Sequence, residues 1–187
     1  MADAVGAKAY TNHKELLANA EVEAVSVCTP NYLHAPISID ALNAGKHVLC
    51  EKPMATSSEE AQSMIDAAAK NGKKLMIAHN QRFVPSHQKA KQLIENGEVG
   101  KIYSFRSAFG HGGPEGWSAD GKDSWFFKKD EAFIGAMGDL GVHKTDLIRY
   151  ILGEEIAEVG AFVETSAKEF ASVDDTAVCV LKTESGI

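Results

Sequence analysis

The stretch AVSVCTPNYLHAPISIDALNAGKHVLCEKPMATSSEEAQSMIDAAAKNGKKLMIA, residues 24–78, decides the fold. Ala24-Val25-Ser26-Val27-Cys28 is a short apolar, β-branched run ended by Thr29-Pro30-Asn31, and reads as a buried parallel strand. A helix is expected over 34–43, with Ile37, Ile39, Ala41 and Leu42 apolar and Gly45 at its C-terminal stop. His47-Val48-Leu49-Cys50 reads as the next strand, halted by Glu51-Lys52-Pro53. Ser57-Ser58-Glu59-Glu60 offers an N-cap and an acidic first turn for a helix that runs to Lys70 and stops at Asn71-Gly72. Lys74-Leu75-Met76-Ile77-Ala78 reads as a third strand. Strands alternating with helices through short connections imply right-handed βαβ units and a parallel sheet. Ligands of such sheets bind beyond the carboxyl ends of the strands. Those ends carry Thr29-Pro30-Asn31, Glu51-Lys52-Pro53 and His79-Asn80-Gln81-Arg82, all polar or charged.

Outward from this core the pattern changes. Upstream, 12–19 reads as a short helix capped by Thr11 or Asn12. Downstream, 86–96 is helical and ends at Gly97. Residues 100–109 alternate apolar and polar, as in a half-buried antiparallel strand. A Gly-rich, aromatic loop covers 111–127, a helix is expected over 138–152 with Gly153 as its stop, and strands over 156–164 and 176–182. The second half is therefore α+β with an antiparallel sheet.

Composition narrows the function classes. The chain has 187 residues, 44% hydrophobic and 24% charged, as in a globular protein. Its net charge of −7, with no Lys/Arg run, argues against nucleic acid as a partner. No apolar stretch approaches the roughly 20 residues of a membrane span, and the N-terminus lacks the apolar core of a signal peptide. The cytoplasm is the expected compartment. Cys28, Cys50 and Cys179 are widely spaced, with no C-x-x-C pair, so neither a zinc site nor a disulfide framework is signalled, and Cys28 and Cys50, each at the end of an apolar run, read as reduced, half-buried thiols.

Two segments carry candidate chemistry. On a helix Asp139, His143 and Asp146 stand at i, i+4 and i+7 and project from one face. A His flanked by carboxylates is a natural general acid/base, since its pKa lies near neutrality and an Asp orients and tunes it. The alternative is a surface ion cluster. Metal binding is disfavoured, because Asp-x-x-x-His-x-x-Asp is no established zinc spacing. Lys52, in Glu51-Lys52-Pro53, places an ammonium at the sheet's carboxyl edge, near a substrate oxygen or a cofactor; the alternative is a solvated turn residue. Trp117, Trp125 and Phe126 in the 111–127 loop suit stacking on a sugar ring, or else they anchor a surface loop.

Three segments, AVSVCTPNYLHAPISIDALNAGKHVLCEKPMATSSEEA, HNQRFVP and GDLGVHKTDLIRYILG, in this order and spacing, resemble the Gfo/Idh/MocA family of sugar and polyol dehydrogenases. The resemblance runs from about residue 11 to 181. It implies a partial Rossmann-type parallel sheet followed by a partial antiparallel open-sheet substrate domain, that is, α/β plus α+β. The expected domains are an incomplete dinucleotide-binding domain over 1–98 and an incomplete substrate and oligomerisation domain over 99–187. It implies NAD or NADP as cofactor, with Thr29, Pro30, Asn31, His34, Glu51, Lys52 and Asn80 lining the dinucleotide. It also implies a sugar or polyol substrate whose hydroxyl is bound and activated by Asp139 and His143 beside Lys52. A homo-oligomer formed through the second domain's sheet is implied as well, and no metal.

One departure is large. Family members begin with a G-x-G-x-x-G turn that cradles the pyrophosphate on a helix N-terminus, and Gly6 is the only glycine upstream of Thr11. The chain is therefore expected to be a slice of an enzyme roughly twice as long. Two functions follow as expectations: an NAD(P)-dependent oxidoreductase of a sugar, inositol or other polyol, or a catalytically silent paralogue that acts as a sugar-binding or oligomerisation module.

Overall fold

A computed structural model describes residues 2–187, which form two compact units, one ending at Ala78 and the other spanning His79–Ile187. This division falls ahead of the expected one at 98/99. The helix Pro85–Glu95 belongs to the second unit because it packs against the helix Val142–Leu152 of that unit.

The first unit follows the βαβ reading. After α1 (His13–Leu17), whose N-cap Asn12 accepts the Lys14 N–H, come β1 (Ala24–Val27), α2 (His34–Asn43), β2 (His47–Cys50), α3 (Ser58–Asn71) and β3 (Leu75–Ile77). The sheet is parallel, in the order β1-β2-β3. The Ser57 hydroxyl accepts the Glu60 N–H, and the Glu60 carboxylate reaches back to Thr56, so α3 starts where its capping residues stand. Gly72 ends it in the left-handed conformation at φ 59°.

Val27, Val48 and Cys50 on one sheet face join Leu42 of α2 and Met64 of α3 in the core. The other face differs from the buried strand that its apolar run suggests. Ser26, Leu49 and Met76, neighbours in register, are all exposed, because the helices of this unit cover one face only. Burial pushes the Cys50 thiol up to about 11, so it stays protonated. Cys28, expected to be half-buried, is exposed past the end of β1, and Cys179 is intermediate.

The second unit contains α4 (Pro85–Glu95), α5 (Lys129–Ala132), α6 (Val142–Leu152), β4 (Ile156–Glu164) and β5 (Thr176–Thr183). β4 and β5 pair antiparallel as a two-stranded sheet. The strand expected over 100–109 does not form. Residues 100–109 join no ladder among the described residues, and the burial does not alternate: Ile102 and Phe105 are half-buried while Tyr103 is 77% exposed. Period-two hydrophobicity makes a strand only when a neighbouring edge takes up its N–H and C=O groups.

The helix expected over 138–152 also divides. Met137–Gly141 is a π-helical turn, and α6 begins at Val142. Leu147 and Ile151 of α6 are buried. Among the described residues no helix is long and apolar enough to cross a membrane.

Candidate active site

In the first unit the polar strand ends come together. Glu51 N–H donates to the Val27 carbonyl at 2.9 Å, which sets the turn after β2 beside the turn after β1. His34, 1% exposed, ties the two turns: its Nδ1 lies 2.7 Å from the Pro53 carbonyl oxygen and its Nε2 2.9 Å from that of Thr29. Both partners are acceptors, so both bonds form at once only when both ring nitrogens carry hydrogen. Both ring nitrogens of His34 are therefore directed at backbone carbonyls within the edge. Asn31 is 6% exposed, at the start of a 3₁₀ turn that leads into α2. Glu51, Lys52 and Pro53 are half-buried, and the Lys52–Pro53 peptide is cis.

A hydroxyl, an amide, a carboxylate and an ammonium at one sheet edge suit the hydroxyls and carboxamide of a nicotinamide nucleoside. The buried Thr29 Oγ1 has no hydrogen-bond partner among the described residues, so this edge retains unused bonding capacity. The pyrophosphate is different. The two strand-to-helix connections, 28–33 and 51–57, contain no glycine, so neither lets a phosphate approach the backbone as a glycine turn does. These residues fit the nicotinamide end of a dinucleotide and not its phosphates.

Asn80 lies in the second unit, exposed, where it opens the 3₁₀ turn Asn80–Phe83. In the same unit His143 sits in the first turn of α6, 9% exposed, with the Phe109 ring 5.8 Å from its own. Asp139 is half-buried in the π turn just before it. That turn is wider than an α turn, so an α-helical spacing does not describe how Asp139 and His143 share a face. Lys144 lies over the Phe109 ring at 4.9 Å and donates to Gln81 Oε1 at 3.4 Å.

Asp146, the second carboxylate of the spacing, is engaged by a residue the spacing does not show. It is 5% exposed and bound bidentately by Arg82, with Nε to Oδ2 at 2.8 Å and Nη2 to Oδ1 at 2.5 Å; His79 Nε2 stands 3.6 Å from Oδ1. Hydrogen bonding to Asp146 pushes the Arg82 guanidinium further up. Arg82→Ala strands a buried carboxylate, which in a fully buried pair costs about 3–5 kcal/mol. The Arg82 side chain is 40% exposed, so solvent screening reduces the expected loss to about 2 kcal/mol in urea unfolding. A loss of about 0.5 kcal/mol or less would show that water satisfies Asp146 equally well.

The aromatic loop is partly anchored and partly exposed. Phe127 is buried and meets Phe170 edge-on at 4.9 Å; Trp125 stacks on Phe126 at 3.9 Å, and Trp117, 63% exposed, meets Phe126 edge-on. A cleft of about 450 Å³, within the range of small-molecule sites, is lined by Phe109, His111, Leu140, Lys144 and Cys179 among others. Among the described residues no group of three or more His, Cys, Asp or Glu is placed to hold a metal ion. Arg82, Gln81, Lys144 and Phe109 were not singled out by spacing. The polar run 79–82 was the one available signal, and it did not disclose its partners on α6.

Residues 1–79 match the family described as "Oxidoreductase family, NAD-binding Rossmann fold", and residues 87–187 match the "GFO/IDH/MocA C-terminal domain". Levoglucosan dehydrogenase of Pseudarthrobacter phenanthrenivorans is 40% identical over 154 residues, which cover 81% of this chain and 38% of that protein. Inositol 2-dehydrogenase 2 of Saccharopolyspora erythraea is 31% identical over 189 residues, covering 100% and 52%. A solved structure of levoglucosan dehydrogenase with NADH and levoglucosan superposes with a TM-score of 0.81 at 35% identity, covering 99% of this chain and 51% of that one. The chain spans about half the length, or less, of the relatives it matches.

Proposed function

Because this chain belongs to the GFO/IDH/MocA family of oxidoreductases, we propose that it carries the nicotinamide-facing and substrate-facing parts of an NAD(P)-dependent dehydrogenase of a sugar, inositol or other polyol. The observation that carries this reading is the buried His143 at the π-to-α junction, with Asp139 in the turn before it and Asp146 already engaged by Arg82. Nicotinamide, when bound, supplies the hydride acceptor. His143 takes the proton of the substrate hydroxyl as general base, Asp139 orients that hydroxyl and the imidazole, and Lys52 stabilises the developing alkoxide charge. Thr29, Pro30, Asn31, Glu51, Lys52 and Asn80 line the dinucleotide, and His34 serves it by holding the turns at Thr29 and Pro53. The protein works in the cytoplasm.

The test is reduction of NAD⁺ or NADP⁺ by the protein with a panel of aldoses, inositols and sugar alcohols. Turnover with at least one of them is expected. No reduction with any would favour the second reading, a sugar-binding or oligomerisation module without turnover, which the glycine-free strand-to-helix connections support.

We also propose a homo-oligomer assembled through the β4–β5 sheet. Phe162, Val178 and Val180 are 77%, 63% and 75% exposed on one face, in register as Phe162↔Val178 and Gly160↔Val180, with the Glu158–Lys182 ion pair at its border. An exposed apolar face of this kind marks an association surface. Light scattering at tens of micromolar is expected to give a dimer or larger, and Phe162→Asp a monomer. A monodisperse parent monomer would contradict the assignment.

A further inference from the structure

The π turn is held from outside by one carboxylate. Asp174, in the connection between β4 and β5, accepts the Gly135 N–H at Oδ1 (2.8 Å) and the Met137 N–H at Oδ2 (2.7 Å). Its backbone carbonyl accepts the intervening Ala136 N–H at 2.8 Å. Three consecutive N–H groups that lead into the turn, of the kind a helix cannot satisfy itself, thus end on one residue. The approach is close enough to require glycine: a Cβ on Gly135 would lie 1.9 Å from the Asp174 carbonyl oxygen.

The neighbouring carboxylate is aimed elsewhere. Asp175 accepts the N–H groups of Ser166, Ala167 and Lys168 at 2.9, 2.8 and 2.7 Å, and these bonds hold its carboxyl down at about 2. It braces the loop after β4 through these three bonds. Adjacent acids of the same charge therefore serve different segments, and each is a control for the other.

We infer that Asp174 is a positioning residue: it fixes the π turn at Met137–Gly141 and so sets Asp139 at its working angle to His143 at the head of α6. The inference rests on the dehydrogenase reading for its effect on turnover, while the anchor itself is testable without it. A carboxylate is needed because an asparagine offers a single acceptor oxygen and turns an N–H toward the second backbone donor.

The test compares Asp174→Asn with Asp175→Asn in the protein, by amide hydrogen exchange without ligand and by steady-state kinetics. Asp174→Asn is expected to speed exchange at residues 135–137 about tenfold or more, the worth of one charge-assisted hydrogen bond. It is expected to lower kcat by a similar factor, with KM for the dinucleotide within about twofold. Asp175→Asn is expected to speed exchange at 166–168 and to leave exchange at 135–137 within about twofold. Unchanged exchange at 135–137 in Asp174→Asn, or equally faster exchange there in Asp175→Asn, would overturn the inference. If Asp174→Asn does not fold, Asp174→Glu decides: faster exchange at 135–137 with lowered kcat supports the role, and loss of the fold overturns it. A parent without turnover on any polyol would defeat the dehydrogenase reading instead, and the exchange rates alone would then decide whether Asp174 holds the turn.

Discussion

Replacing His143 by Ala is expected to lower kcat for polyol oxidation by about 10²–10⁴-fold, the span attributed to a positioned general base. The imidazole is 9% exposed and lies against the Phe109 ring, so bulk water has little room to stand in for it. The substrate hydroxyl must lose its proton as the carbon loses hydride, and no other imidazole stands on α6. His143→Gln, which keeps a hydrogen-bonding group without a titrating nitrogen, is expected to fall as far in kcat while holding the substrate KM nearer the parent's. Near-parent turnover of His143→Ala would remove His143 from the proton transfer and leave Lys52 as the next candidate.

A polypeptide of residues 1–187 is expected to bind NAD(H) no more tightly than the millimolar range. The connections after β1 and β2 present side chains of Thr29, Asn31, Glu51 and Lys52 but contain no glycine. The N-terminus of α3 already spends its Glu60 N–H on Ser57, and the Glu60 carboxylate stands at the same end, where a phosphate would meet like charge. Each charge-assisted hydrogen bond withheld from the phosphates is worth roughly 1.5–3 kcal/mol, so several together weaken binding by about three or more orders of magnitude. Calorimetry with NADH measures this directly. A dissociation constant in the micromolar range would require a phosphate site built from other residues of this chain.

The parallel sheet was legible because local signals agreed with one another. The β-branched runs at Val25–Val27 and Val48, the cap at Ser57 and the stop at Gly72 each mark the same boundaries that the fold adopts. The segment 100–109 carries the alternation of a strand but has no ladder partner among the described residues, and sequence period cannot supply one. The helix face drawn through Asp139, His143 and Asp146 leaves out two features that lie outside local spacing. Gly138 and Gly141 sit in a π turn that changes the angular step, and Asp146 is claimed by Arg82, 64 residues earlier in the chain. Asp174 was likewise invisible, since its partners at Gly135 and Met137 lie 39 and 37 residues away and are backbone groups without a sequence signature.

The central step of the proposed reaction is hydride leaving a carbinol carbon for nicotinamide. The most direct measurement takes candidate polyols deuterated at the carbinol carbon and weighs the reduced nicotinamide by mass spectrometry. One deuterium per reduced nicotinamide is expected with the parent, and the same transfer at a rate lowered about 10²–10⁴-fold with His143→Ala. Reduced nicotinamide without deuterium, or no reduced nicotinamide with any polyol, would contradict it.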